Sequence, residues 1–291
     1  MEKYIRTDLA CELRGGGLKG EQKVSENVGE DGFRVIKTDA DGQGSCVTVI
    51  CGNVGELDDE EASCLALCVA RELGALVKSA ARKKRGVDFR VLVAGLGNAS
   101  MTADAIGPSV TSRVTVTGHL AHLDPELFEG IGCCRIYAVT PGVLGETGME
   151  ALELIRGAAD AVLPDLVVAV DALAARSVER LSSTVQMSTA GILPGSGIGN
   201  RRSEISENTL GVPVISMGIP TVVDSSTLVY DALKSAGAPE PEGELAELLE
   251  RGRGFFVSPK DSDVINRRAA CILANAIDLT FGINRDHREY N

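Results

Sequence analysis

Short β-branched runs alternating with helix-spaced segments predict an α/β fold: a mostly parallel, twisted sheet flanked by helices, with a small N-terminal β-hairpin as an edge or subdomain. Three observations carry this expectation. Apart from Arg90 and Arg135, the runs 89–94, 135–139 and 166–170 are apolar on successive residues, the pattern of strands covered on both faces. Segments of helical spacing lie between most of them. Aromatic residues make up only 3% of the chain and Trp is absent, so the core is built from Val, Leu, Ile and Ala.

In chain order, residues 1 to about 31 are polar, and Gly15-Gly16-Gly17 argues against a firm core element there. Residues 33–38 and 46–50 read as a hairpin around Asp41-Gly42. Residues 57–84 read as a helix. Asp58, Asp59, Glu60 and Glu61 enrich its first turn, and Leu65, Cys68, Val69, Leu73, Leu76 and Val77 follow a helical spacing. Arg82-Lys83-Lys84-Arg85 then falls at the helix end, where it complements the dipole. Residues 89–94 form the first central strand, and 104–120 a helix packing back on it. A strand over 135–139 stops before Pro141, a helix covers 148–161, and 166–170 is the next strand. Further strands are expected at 184–188 and 212–217, separated by a Gly-rich loop over 191–206. A helix begins at Ser225, 238–243 is a turn-rich surface connection, and 263–281 is a terminal amphipathic helix. No internal repeat interrupts this order, and no boundary between independent domains is evident.

Composition narrows the function. The net charge is −12, which argues against a phosphate-backbone binder. Eight cysteines include no Cys-x-x-Cys pair. Cys64 and Cys68 share a helical face, and Cys133 and Cys134 are adjacent. They read as reduced thiols of a cytoplasmic protein, packed as small hydrophobes. The start, MEKYIRTDLACE, has no apolar stretch of a secretory signal. No apolar run suggests a membrane span. His119 and His122 are three apart, but no His-Glu-x-x-His and no third zinc ligand is evident.

Two aspartates are placed where an α/β sheet presents its chemistry, just past the carboxyl ends of strands. Asp104 follows FRVLVAGLGN, and Asp171 ends the run PDLVVAVD. Two carboxylates brought together can share a proton and activate a water. Each also has a structural reading. Asp104 could be a helix N-cap, and Asp171 could pair with Arg176 or Arg180. Gly95-Leu96-Gly97-Asn98 lacks the full dinucleotide fingerprint and reads as a tight strand exit that turns Asn98 toward a site. Arg176 and Ser177 could orient a carboxylate, bind substrate backbone, or pair structurally. The glycine loop with Ser196, Asn200, Arg201, Arg202 and Glu204 could move over a bound peptide or merely join two strands. Asp224 reads as an N-cap or a supporting group. Gly195-Ser196-Gly197 is no nucleophile elbow, because no helix follows it in a suitable place.

GLGN-x₅-DAIGP, AVTPGVLGETG, AVDALAARS, GILPGSGIGNRRSEIS and GIPTVVDSSTL, in that order, resemble the germination proteases of endospore-forming bacteria. That family is an atypical aspartic-type endopeptidase acting on small acid-soluble spore proteins. The resemblance implies that Asp104 and Asp171 are the catalytic pair, with Asn98, Arg176, Ser177, Ser196, Asn200 and Asp224 binding substrate or supporting the pair. The segment Arg6-Thr7-Asp8-Leu9-Ala10 is similar to the family's self-processing site. It implies a zymogen cut between Asp8 and Leu9, with residues 1–8 a propeptide and 9–291 a single α/β peptidase domain. A homotetramer of the spore core is also implied, and the scheme requires no metal, nucleotide or other cofactor. Ala103 departs from the Pro usual before the first aspartate, the leader before Asp8 is short, and so is the segment between Tyr230 and Phe255. A metal-dependent peptidase of the hydrogenase-maturation type and a nucleotide-binding module built on GLGN are the alternatives.

Overall fold

A computed structural model describes residues 7–9, 22–29, 31–40, 44–195, 202–252 and 255–284. Its strands are β1 (Gln22–Val28), β2 (Arg34–Ala40), β3 (Gly44–Ile50), β4 (Arg90–Gly95), β5 (Arg135–Val139), β6 (Leu166–Ala175), β7 (Thr184–Ser188), β8 (Val214–Asp224) and β9 (Phe256–Val257). The helices are α1 (Asp59–Ala80), α2 (Ile106–Thr111), α3 (Leu120–Leu123), α4 (Pro125–Ile131), α5 (Leu144–Thr147), α6 (Ala151–Val162), α7 (Glu207–Leu210), α8 (Ser225–Ser235), α9 (Gly243–Gly252) and α10 (Ser262–Thr280).

All nine strands join one sheet in the order β1-β2-β3-β7-β8-β6-β4-β5, with β9 on β8. The expectation of a mostly parallel sheet does not hold, because the sheet is mixed. The pairs β4–β5, β4–β6 and β6–β8 are parallel. The pairs β1–β2, β2–β3, β3–β7, β7–β8 and β8–β9 are antiparallel. The causes are local. The link 176–183 between β6 and β7 is shorter than the dozen or so residues a parallel crossover needs, so the chain turns back. The N-terminal strands are hairpin-connected, and they extend the main sheet through β3 instead of forming a separate subdomain. The polar stretch before residue 31 contributes β1 to that edge. Its charges face solvent, as an edge strand requires.

Two layers cover the sheet. On one face α1 and α10 pack together over Val47, Val49, Val168, Val170, Met187, Ile215 and Met217, with α2 beside them. On the other, Ile155 and Ala159 of α6 cover Leu92, Ala94, Val167 and Ala169. Helix α1 begins with a capping box: Asp58 accepts from Glu61 N–H at 2.8 Å, and Glu61 accepts from Asp58 N–H at 2.9 Å. It stops at Ala80, short of the basic cluster. Arg85 instead donates to Thr280 O at the C-terminal end of α10, 2.6 Å away, so it serves the dipole of a different helix. Helix α10 is amphipathic only over its first half, where Asp263, Val264 and Arg267 are exposed, and is buried nearly all round beyond it. Wedged between α1 and α2, it buries even Asn266 and Asp278, and Asp278 accepts from Thr115 N–H and O–H at 2.9 and 2.6 Å.

The expected helix over 104–120 is broken. A 3-10 turn, Thr102–Asp104, leads into the short α2, and the β-branched run 114–117 leaves helical geometry. Thr117 then braces the start of β5, donating to Cys134 O at 2.7 Å and accepting from Ile136 N–H at 2.9 Å.

Candidate active site

Strands β6 and β8 run well past the end of β4. Pairing of β6 with β4 stops at Gly95–Val170, and one more bond follows from Leu96 N–H to Val170 O, 2.8 Å. Beyond it the edge of β6 from Asp171 to Ala175 is free of β4. Asp171 therefore lies within a strand, not past one as its sequence context suggested. It is still at the carboxyl end of the shorter neighbour, where the sheet opens.

Gly97 turns the chain out of β4 with φ +106°. A side chain there would place Cβ 2.1 Å from Asp104 O, so only glycine lets the turn at 102–104 fold back this closely. Asn98 N–H donates to Asp104 Oδ2 at 2.8 Å, and the Asn98 side chain accepts from Ser100 N–H at 2.8 Å. Two further bonds fix the turn from outside. Thr221 Oγ1 of β8 donates to Ala103 O at 2.6 Å, and Asn266 Nδ2 of α10 donates to Thr102 O at 2.8 Å.

Asp171 is 6% exposed and lies on the face it shares with Ala169 and Leu173. Its Oδ1 accepts from Ala172 N–H at 2.9 Å. Burial drives its carboxyl well above the usual carboxylate range, and the charges of Asp104 and Asp8 drive it further. Asp104, half-buried, is also raised, first by burial and then by Glu146, against the opposing Asn98 N–H. Both aspartates line one cleft of about 490 Å³, together with Asp8, Asn98, Glu150, Arg202, Thr221 and Phe256.

Thr7, Asp8 and Leu9 are docked against that cleft. Asp8 N–H donates to Ala174 O at 2.8 Å, on the free edge of β6. Ala174 N–H donates to Asp8 Oδ2 at 2.9 Å. Gln186 Nε2 of β7 donates to Asp8 O at 2.8 Å. Leu9 is fully buried against Leu173, Ala175 and Val223, with Leu181, Ile192 and Leu228 around it. Of the two residues singled out in sequence as a processing junction, Asp8 thus lines the same cleft as the aspartate pair, and Leu9 packs into the apolar cluster beside it.

The other expected site residues divide. Arg176 does not reach Asp171. It makes a two-pronged pair with Asp231, Nε to Oδ2 at 2.8 Å and Nη2 to Oδ1 at 2.7 Å. Ser177 caps the turn at Val178–Arg180, accepting from Glu179 N–H at 3.3 Å. Asp224 is the N-cap of α8 and accepts from Thr227 N–H at 2.9 Å. Ser196 and Asn200 lie outside the described residues. Among the described residues, no three His, Cys, Asp or Glu are grouped to hold a metal ion, and no helix is long and apolar enough to cross a membrane. Sequence reading missed Gln186 and Thr221, whose only signal is a polar residue inside an apolar strand.

A family model described as germination protease matches residues 21–236. The chain is 36% identical to the germination protease of Caldanaerobacter subterraneus subsp. tengcongensis, over 99% of this chain and 97% of that protein. It is 35% identical to that of Clostridium acetobutylicum, over 94% of each. With that of Priestia megaterium it shares 38% identity, over 79% of this chain and 66% of the relative. A match of this extent, on a chain whose two candidate aspartates meet in one cleft, places it plainly: the protein belongs to the germination protease family and is a peptide-bond hydrolase.

Proposed function

We propose that this endopeptidase starts the degradation of small acid-soluble spore proteins during germination, that it is made as a self-processing zymogen, and that Asp104 and Asp171 activate the attacking water. The observation that carries the reading is the shared cleft. It holds two carboxyls of unequal environment, with an acidic-apolar dipeptide from the protein's own chain lying against them.

The unequal environments support one division of roles. Asp171, the more buried, keeps its proton and hydrogen-bonds the carbonyl oxygen of the scissile bond. Asp104, the more exposed, is ionised and takes a proton from water, whose oxygen attacks the carbonyl carbon. Asp104 then returns that proton to the departing amine as the C–N bond breaks. The dipeptide Asp8-Leu9 is the processing junction, residues 1–8 are the propeptide and 9–291 form one catalytic domain. The active assembly is a homotetramer in the cytoplasm of the spore.

The test is incubation of the pure protein with a small acid-soluble spore protein, with cut sites mapped by mass spectrometry. Wild type cuts on the carboxyl side of acidic residues followed by a bulky apolar one. Asp104→Asn and Asp171→Asn each lose activity, and the double variant is little worse than either, because the two act as a unit. Asn keeps the shape of the carboxyl but cannot exchange a proton at neutral pH. Near wild-type cleavage by either variant, shown folded by its melt, excludes the pair.

A further inference from the structure

We infer that Gln186 is a catalytic residue, a side-chain donor that holds the oxygen of the scissile carbonyl and stabilises the charge that develops on it. This rests on the reading of Asp8–Leu9 as a substrate-like junction.

The sheet register puts the residue there. Gln186 pairs with Gly218, and Gly218 pairs with Asp171, so the three form one row across β7, β8 and β6. Residues directly paired in a sheet point to the same face. Gln186 and Asp171 thus stand on the same face of the sheet, on either side of a residue that has no side chain. Gly218 cannot readily acquire one, since its Cβ would fall 2.4 Å from Asp171 O and 2.8 Å from the Leu173 side chain. The row is a trough with a carboxyl at one wall and a carboxamide at the other.

The carbonyl of Asp8 is presented to that trough. Its own N–H and its carboxylate are both held by Ala174 on one side, and Leu9 is locked in its apolar pocket on the other. Between these anchors the carbonyl oxygen accepts from Gln186 Nε2 at 2.8 Å. A carbonyl oxygen has two lone pairs. In the proposed mechanism one goes to Gln186 and the other to the acidic proton of Asp171. Glutamine suits the task because it is neutral at every working pH and cannot compete for the proton that the aspartates exchange.

The step balances without any further reagent. Water oxygen bonds to the carbonyl carbon of residue 8 while Asp104 takes one water proton. The carbonyl electron pair moves to oxygen, which accepts from Gln186 and receives the Asp171 proton. Collapse returns that proton to Asp171 and breaks the C–N bond, and Asp104 protonates the amine of residue 9. The products are one carboxylic acid and one amine.

The test uses the full chain and its self-cleavage, read as the appearance of Leu9 as a new N-terminus at mildly acidic pH. Gln186→Met keeps the length and removes the donor, and Gln186→Ala removes it with less bulk. Loss of one such donor typically lowers kcat by about 10²–10³-fold. We expect that loss in both variants, with the Asp8 amide still protected from hydrogen exchange, which shows the segment still docked. On an added acidic-apolar peptide, kcat falls and KM changes little. Self-cleavage within about threefold of wild type in either folded variant overturns the inference. If wild type itself yields no end at Leu9, the processing reading fails first, and the peptide assay still decides the role of Gln186.

Discussion

Replacing Leu9 by Ala isolates what holds the N-terminal segment in the cleft. The Leu9 side chain is fully buried among Leu173, Ala175 and Val223. Truncation to Ala removes three carbons from that pocket, at about 0.8 kcal/mol each, or about 2.4 kcal/mol of docking free energy. The docked-to-free ratio then falls roughly fifty-fold. The reporter is the Asp8 amide, whose hydrogen bond to Ala174 O exists only in the docked state. Measured by hydrogen exchange in the Asp104→Asn background, so that the segment stays attached, its protection factor drops about fifty-fold. The Leu96 amide, bonded to Val170 O inside the sheet, keeps its protection. An unchanged Asp8 amide refutes the idea that Leu9 anchors the segment. An equal loss at Leu96 means the whole fold has weakened and refutes it as well.

Two more outcomes follow from the geometry of the pair. Asp171→Asn raises the melting temperature at neutral pH. The folded state holds the Asp171 carboxyl above its usual range, so the contribution of this group to wild-type stability is fully present below the ordinary carboxylate pKa of about 4 and is lost as pH rises through the folded value. The variant's advantage therefore grows with pH and vanishes below about pH 4. A pH-independent difference in melting temperature between variant and wild type would falsify the buried-acid account. Gly97→Ala forces a side chain into positive φ and against Asp104 O, costing about 1–2 kcal/mol in backbone strain. Cleavage falls on the order of 10²-fold because Asp104 is displaced, since a shift of about 1 Å at a reacting group has that effect. Full activity in that variant shows that the turn does not position Asp104.

Much of the molecule is readable from residue types alone. The strands at 135–139 and 184–188 match their expected bounds residue for residue, the first by a β-branched and apolar run after Arg135, the second by alternation of buried Val185 and Met187 with polar residues. Strand β1 is hidden because, as an exposed edge, it carries Lys23, Ser25, Glu26 and Asn27, which resemble a loop. Asp104 and Asp171 stand out because a charge in a small-residue setting needs a reason. The partner of Arg176 is not readable, since Asp231 is 55 residues away and only the fold brings them together. Gln186 is hidden for the opposite reason: a lone Gln in a five-residue strand looks like ordinary alternation until the facing strands are known.

The grip of Ala174 on Asp8 has a further consequence. One residue supplies an acceptor to the ligand's N–H and a donor to its carboxylate, and both are main-chain atoms. The part of a preference for an acidic residue that this N–H carries depends on no side chain. No substitution at position 174 short of proline, which has no N–H, deletes it. Mutation could reshape the apolar pocket for the following residue, while this main-chain share of the grip stayed as constant as the path of the strand. Under the proposed junction, selectivity of this kind would drift more readily at the apolar residue than at the acidic one.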